Sequence, residues 1–497
     1  MPHTTPSAAE AATPGRIRLT LLGVMLAMLL AMLDNMVVGT AMPTIVGELG
    51  GLERLSWVVT AYTLATAAST PVWGKLGDLY GRKGTFLTSI VIFLVGSGLS
   101  GAARSMEQLI AFRALQGIGA GGLVVGAFAL IGALVSPRER GRYQGMSATI
   151  MAVGTIGGPL LGGFLTSHLG WRWSFYINLP IGVVVLAWIQ TMLHLPAKRP
   201  ATRADAPRMD YLGAALLTTT ISALVLLTTW GGTQYAWGSA QVLGLAALTV
   251  LALGAFLWSQ TRAAEPVLPL SVFRIRNLSL ASVMAFSTGA AMFGVVSFLP
   301  MYQQSVQGAS AANSGMLLLP MVLPIVLCSQ VVGRVMTLTG RYKVFPVVGG
   351  VVVSLGLYLL STMDATTGRG TSAFYMVVLG TGLGLAMQMP MTIAQNSVEV
   401  KDMGVASASS TLFRTIGGSF GVALFGSLFA RRVGDGISPH SVAAGTHSLF
   451  LCAALLSLAG LAAAVCVKEV PLRGKPSGPA EPAGPRKAAA TAPASQG

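Results

Sequence analysis

Fourteen apolar runs, beginning near residues 19, 55, 84, 108, 143, 173, 211, 238, 278, 312, 344, 373, 403 and 446, decide what this chain can fold into. A run of about 20 apolar residues crosses the hydrocarbon of a bilayer as a helix, and lipid offers its backbone no partner outside the segment unless a barrel closes. The expected fold is therefore an all-α membrane protein with 14 transmembrane helices, lodged in the lipid bilayer. Composition agrees, because only 10% of residues are charged, against about 25% in soluble chains.

The net charge of +16 would suggest nucleic acid only if Lys and Arg gathered on one polar domain, and none lies between Leu19 and Val467. The basic residues sort by connection instead. With a cytoplasmic N-terminus, 24 of them fall on inside segments and six on outside loops, namely Arg54, Arg104, Arg172, Arg369, Arg431 and Arg432. The positive-inside rule then places both termini in the cytoplasm. The first run is long and lacks a small-residue cleavage site, so it is not expected to be a cleaved signal peptide.

The chain repeats itself. "GKLGDLYGRKG" at 74–84 and "GRVMTLTGRYK" at 333–343 match at an offset of 259, and "TIGG" recurs at 155–158 and 415–418 at an offset of 260. An offset of eight spans is even, so the halves are expected to be parallel six-helix repeats. The expected layout is an N-terminal cytoplasmic tail at 1–18, a first half at 19–194 and a cytoplasmic linker at 195–210. An inserted helix pair follows at 211–260, then a linker at 261–277, a second half at 278–467 and a tail at 468–497. The inserted pair holds no charged residue between Asp210 and Arg262 and reads as lipid-facing. The tail is rich in Pro, Ala and Gly, a composition that predicts disorder.

These residues resemble the major facilitator superfamily, and within it the 14-span drug:proton antiporters of the EmrB/QacA type, over roughly residues 17–470. "GKLGDLYGRKG" resembles the superfamily's loop signature and "GTIGGPLLGG" (154–163) its antiporter signature. "WVVTAYTLA" (57–65), "WRWSFYINLPIG" (171–182) and "PVLPLSVFRIRN" (266–277) are similar to segments of the 14-span branch. The resemblance implies a major facilitator fold in a bacterial cytoplasmic membrane.

In the loop motif, Gly74, Gly77 and Gly81 allow close approach, while Lys75, Asp78, Arg82 and Lys83 supply charge. The resemblance implies that Asp78 and Arg82 latch one half against the other, with the acid facing a helix N-terminus, where negative charge is favoured by about 0.3–1 kcal/mol. The bland reading, positive-inside residues, leaves Asp78 unexplained. The second copy has Thr337 in its place, so a second latch would be weak. In the other motif, Gly154, Gly158, Gly162 and Gly163 permit close helix packing and Pro159 bends the helix. The resemblance implies that this face seals the halves, as in exporters; simple packing fits the same residues.

Asp34 is the only carboxylate deep in an apolar run. Charged groups in the bilayer are costly and normally face a cavity or each other, and the opposite charge is Arg113, with Gln116 one turn on. Burial favours the neutral acid and a guanidinium the charged one, so this acid could load and release a proton; a purely structural ion pair is the alternative. The resemblance implies an acid and an arginine at these two positions, although Met36, Gly39 and Thr40 depart from its usual Thr, Asn and Val. Candidates for substrate contact are Tyr62, Asn178, Tyr302, Gln303, Gln388, Gln395 and Phe413. Arg414, a second intramembrane cation, is read either as a substrate contact or as a partner at the cytoplasmic end.

No enzyme is expected. The five histidines are scattered, Cys328, Cys452 and Cys466 lack metal-ligand spacing, and no phosphate-binding G-x-x-x-x-G-K-[ST] loop occurs. Gly117, Gly119 and Gly122 satisfy G-x-G-x-x-G, but inside a span with no preceding strand. The sequence thus predicts a monomeric exporter of amphipathic drugs or antibiotics, driven by protons, with no metal, cofactor or nucleic acid. Export of a lipid or secreted metabolite, or a non-transporting sensor on the same fold, are the alternatives.

Overall fold

The computed structural model describes residues 14–51, 54–193, 209–231, 234–263, 265–309, 317–399, 402–433 and 438–470. Among these residues the chain is all-helical, without a β-strand. The helices are α1 (Pro14–Leu49), α2 (Leu55–Tyr80), α3 (Arg82–Gly101), α4 (Met106–Leu134), α5 (Pro137–His168), α6 (Trp173–Tyr176), α7 (Asn178–Met192), α8 (Tyr211–Trp230) and α9 (Ala240–Arg262). After a 3₁₀ turn (Leu270–Arg274) come α10 (Arg276–Ser305), α11 (Leu319–Thr339), α12 (Val344–Ser361), α13 (Arg369–Ala386), α14 (Met389–Ser397), α15 (Met403–Val433) and α16 (Pro439–Cys466).

Local chemistry sets several boundaries. Ser105, Asp210 and Ser239 each accept a hydrogen bond from the backbone amide three residues on, which satisfies one orphan donor and is worth about 1 kcal/mol per helix. Gly81 (φ 99°) and Gly340 (φ 70°) make the tight turns after α2 and α11. A side chain would strain that backbone, so the glycine common to the two loop motifs has a conformational cause.

Twelve helical segments among the described residues are long and apolar enough to cross a membrane. The expected count was 14. The two long helices outside the twelve are α2 and α5, which carry the two glycine motifs; their small and polar residues lower the apolarity that marks the others. The chain is thus a multi-pass membrane protein with about 12 to 14 candidate spans.

Packing partners recur along the chain. α1 packs on α5 and α7, and α10 on α15 and α16; α4 packs on α2 and α3, and α13 on α11 and α12. One buried core joins α1, α2, α3, α4 and α7, and another joins α10 to α13 with α15 and α16. Between these two bundles, α2 meets α15 and α5 meets α11.

α8 and α9 behave differently from each other. α9 packs on α8 and exposes Leu243, Leu248, Val250, Leu251 and Leu257, the surface a lipid-facing helix needs. α8 does not fit the lipid-facing reading, because it lies against both α2 and α15 and buries Leu217, Ile221 and Val225 in the core shared by the two bundles. Asp210 ties the base of the pair together: its carboxylate caps α8 and accepts from Gln260 Nε2 at 2.7 Å.

Candidate functional site

Asp34 sits on α1 where α4 and α7 cover it, and its carboxylate has no exposed surface. Three donors converge on it. Arg113 Nη1 reaches Oδ2 at 2.6 Å, while Gln116 Nε2 and Asn178 Nδ2 both reach Oδ1 at 2.8 Å. Arg113 and Gln116 stand three residues apart on α4, so one helix face presents both. Arg113 Nη1 also donates to Gln116 Oε1 at 2.7 Å. The guanidinium lies over the Tyr62 ring, 3.9 Å from its centroid, with Phe175 at 5.7 Å. Arg113 Nε and Nη2 are buried without a hydrogen-bond partner among the described residues.

Two residues read from sequence as candidates for substrate contact, Asn178 and Tyr62, lie in this cluster. Asn178, at the start of α7, donates to Asp34 and to Ser97 Oγ at 2.9 Å, and Ser97 donates to the Phe175 carbonyl at 2.9 Å. Tyr62 stacks under Arg113, and its hydroxyl donates to the Ala31 carbonyl at 3.2 Å. Both are buried. Ser97 escaped sequence reading altogether, since a serine in an apolar helix carries no local sign of its partner.

Asp78 forms the second cluster. Its Oδ1 accepts from the Gly404 amide at 3.1 Å and its Oδ2 from the Val405 amide at 3.0 Å, which places the acid on the N-terminus of α15. Arg82 Nη2 pairs with Oδ1 at 3.1 Å. A Cβ on Gly74 would stand 2.7 Å from Ala408 Cβ, and one on Gly404 would stand 2.4 Å from the Gly74 carbonyl, so α2 and α15 touch backbone to backbone. Lys75 pairs with Glu265 at 2.9 Å, and Lys83 donates to the Gln190 carbonyl at 2.8 Å. Gly77 has room beside it, its nearest neighbour being the Arg82 stem at 3.9 Å.

The glycine face of α5 lies elsewhere than expected. A Cβ on Gly154 would stand 3.0 Å from Met32, one on Gly158 would stand 2.3 Å from Met36, and one on Gly162 would stand 2.2 Å from Thr40 Oγ1. Spaced four apart, these glycines form one stripe, and the stripe seats α1 of the same bundle rather than sealing one bundle to the other. Gly163 points into open space; the Pro159 side chain lies outside the described ones. The other bundle meets a different part of α5: a Cβ on Gly145 would stand 2.7 Å from the Ser329 carbonyl, and Gln330 Nε2 donates to Thr149 Oγ1 at 2.7 Å.

The other substrate candidates do not gather in one place. Tyr302 donates to the Asp364 carbonyl at 2.6 Å, and Gln303 donates to the Leu317 carbonyl at 3.3 Å, so both fasten connections at the end of α10. Hydrogen bonds from Thr366 and Thr367 hold the exposed Asp364 carboxyl below the usual carboxylate range. Gln388 is buried at the break between α13 and α14. Gln395 donates to the Phe128 carbonyl at 3.0 Å and to Ser407 Oγ at 2.9 Å, joining α14 to α4 and α15. Phe413 meets Phe273 edge to face at 5.9 Å. Arg414 is partly buried in α15.

A buried acid and base are held between helices, and a charged joint lies between two helix bundles, within a multi-pass membrane protein whose relatives are transporters. The chain belongs to the Major Facilitator Superfamily, whose family model matches residues 24–422. It is 40% identical to an "uncharacterized MFS-type transporter" of Mycobacterium tuberculosis over 95% of this chain and 73% of that protein. It is 35% identical to the multidrug transporter protein MdtP of Bacillus subtilis, over 84% of this chain and 76% of that one, and 32% identical to multidrug resistance protein 3 of the same organism, over 89% and 85%. Among solved structures, the human organic anion transporter MFSD10 matches with a TM-score of 0.63 at 15% identity, covering 90% of this chain and 99% of that one. The proton:xylose symporter XylE matches at 0.60 and 14% identity, covering 89% and 95%. At such identities these two speak for the fold alone.

Proposed function

We propose that this transporter is a proton-coupled antiporter of the 14-span branch, built from two six-helix repeats and an inserted pair, which exports amphipathic drugs or antibiotics across a bacterial cytoplasmic membrane. The carrying observation is the Asp34 carboxylate, buried in the bundle and satisfied by three donors. The three donors occupy two acceptor positions on Oδ1 and one on Oδ2, which leaves one position on Oδ2 for a proton. Movement of α4 or α7 relative to α1 therefore changes proton affinity, which is the coupling an antiporter needs.

Support for export comes from the relatives named multidrug transporters. The distribution of basic residues supports cytoplasmic termini, and the recurring helix pairs support the repeat. In this reading Asp78 on the α15 N-terminus latches the cytoplasmic side. The driving force is adequate without a cofactor: a proton moving down one pH unit gains about 1.4 kcal/mol, and 100 mV adds about 2.3 kcal/mol. The test is proton flux on addition of substrate to proteoliposomes, across a panel of amphipathic compounds. Flux that requires Asp34 supports the proposal, and transport without proton movement contradicts it.

A further inference from the structure

Arg414 lies 11 residues into α15, about 16 Å along the axis. It makes no hydrogen bond or ion pair among the described residues. The one acid deep in an apolar run, Asp34, already holds three donors. Of the nearby hydroxyls, Thr411 donates to the Ser407 carbonyl at 2.9 Å and Thr415 to the Thr411 carbonyl at 3.0 Å, and neither accepts from the guanidinium. A guanidinium in this position lacks the counter-charge that such groups normally find.

Its direction follows from helical phase. Arg414 shares a stripe with Ser407, seven residues before it, and Gly418, four after it. Ser407 receives Gln395 of α14 at 2.9 Å, and a Cβ on Gly418 would stand 2.5 Å from Phe293 of α10. The stripe thus meets α14 at one end and α10 at the other. Arg414 is only partly buried, and Phe293, which meets the same stripe one turn along at Gly418, is 42% exposed. The register that aligns the two "TIGG" copies sets Arg414 against Gly154, which seats Met32 at 3.0 Å. Where the first copy has a packing glycine, the second carries a long cation.

We infer that Arg414 recognises the oxyanion head of an amphipathic organic substrate, with the apolar body of that substrate against the neighbouring Phe293. This rests on the antiporter reading and narrows its substrate class to include organic anions. Guanidinium forks pair with sulfonates, carboxylates and phosphates through two parallel hydrogen bonds.

The test compares binding of 2-naphthalenesulfonate with that of the uncharged 2-naphthalenesulfonamide to the full chain in phosphatidylcholine nanodiscs. The wild type should prefer the sulfonate by about tenfold or more. Arg414→Gln should lose that preference, with sulfonate binding falling to the level of the sulfonamide, and Arg414→Lys should keep part of it. Equal binding of the two probes by the wild type, or parallel weakening of both in Arg414→Gln, overturns the inference; the wild-type comparison decides even if Arg414→Gln does not fold. Sulfonate binding that appears in phosphate-free alkyl maltoside micelles but not in phosphatidylcholine nanodiscs assigns the cation to lipid phosphate and also overturns it. The two readings separate cleanly. Sulfonate binding through Arg414 without proton movement removes antiport and leaves this inference, whereas proton-coupled ethidium export by a protein indifferent to the sulfonate does the reverse.

Discussion

Three donors on one carboxylate make Asp34 sensitive to the loss of any of them, and each loss has its own signature. Arg113→Ala leaves a buried acid without its cation, a change that costs about 3–5 kcal/mol when the charge persists. The acid responds by holding its proton, so efflux should fail at the release step. Raising internal pH should partly restore it, as read by efflux from vesicles of set internal pH. Asn178→Ala removes one neutral donor, a hydrogen bond to a charged group worth about 1.5–3 kcal/mol. Less support for the anion means greater proton affinity, so the internal pH at which efflux becomes half-maximal should move upward while some activity remains. A pH profile identical to wild type would remove Asn178 from the coupling site and return it to packing.

At the scale of the helix, the glycine stripe of α5 fixes α1, the helix that carries Asp34. Gly158→Leu should push α1 away at Met36 and lower efflux strongly with insertion retained, measured as transport per unit of protein in the membrane. Gly163→Ala, which meets open space, should be silent; equal damage from both would show that the stripe has no special role. The glycine spacing in the sequence identified the close-packed face but not its neighbour, because periodicity describes one helix and the partner is chosen by the tertiary fold. The same limit explains Asn178: a neutral amide in an apolar run announces that it needs a partner, not which one. Asp34 and Arg113 were legible as a pair because each is the charge that its own apolar run cannot otherwise explain. Asp78 was legible as well, since an acid among basic loop residues has no part in topology. α8 was not, because an uncharged helix reads alike whether it meets lipid or the seam between two bundles.

Across the whole molecule, contacts between the bundles define one conformation. Asp78 caps α15, Gln395 spans to α4, and Gln330 spans to α5. These joints should open when substrate and proton exchange sides. Asp78→Asn weakens the cap by removing its charge, about 0.3–1 kcal/mol at a helix N-terminus, and breaks the pair with Arg82. Labelling of an engineered cysteine on the Asp78 side of the cleft should therefore speed up, and unchanged labelling would show that the cap does not hold this state.

The most direct test of the account is pH-driven drug accumulation in proteoliposomes containing Asp34→Asn. The asparagine keeps the size of the side chain but has no proton to exchange. The account predicts that this variant binds drug and equilibrates it passively, yet builds no gradient at any internal pH, unlike Arg113→Ala. A drug gradient built by Asp34→Asn from a pH difference alone would contradict it, leaving the carboxylate as a structural partner of Arg113 and the proton on another group.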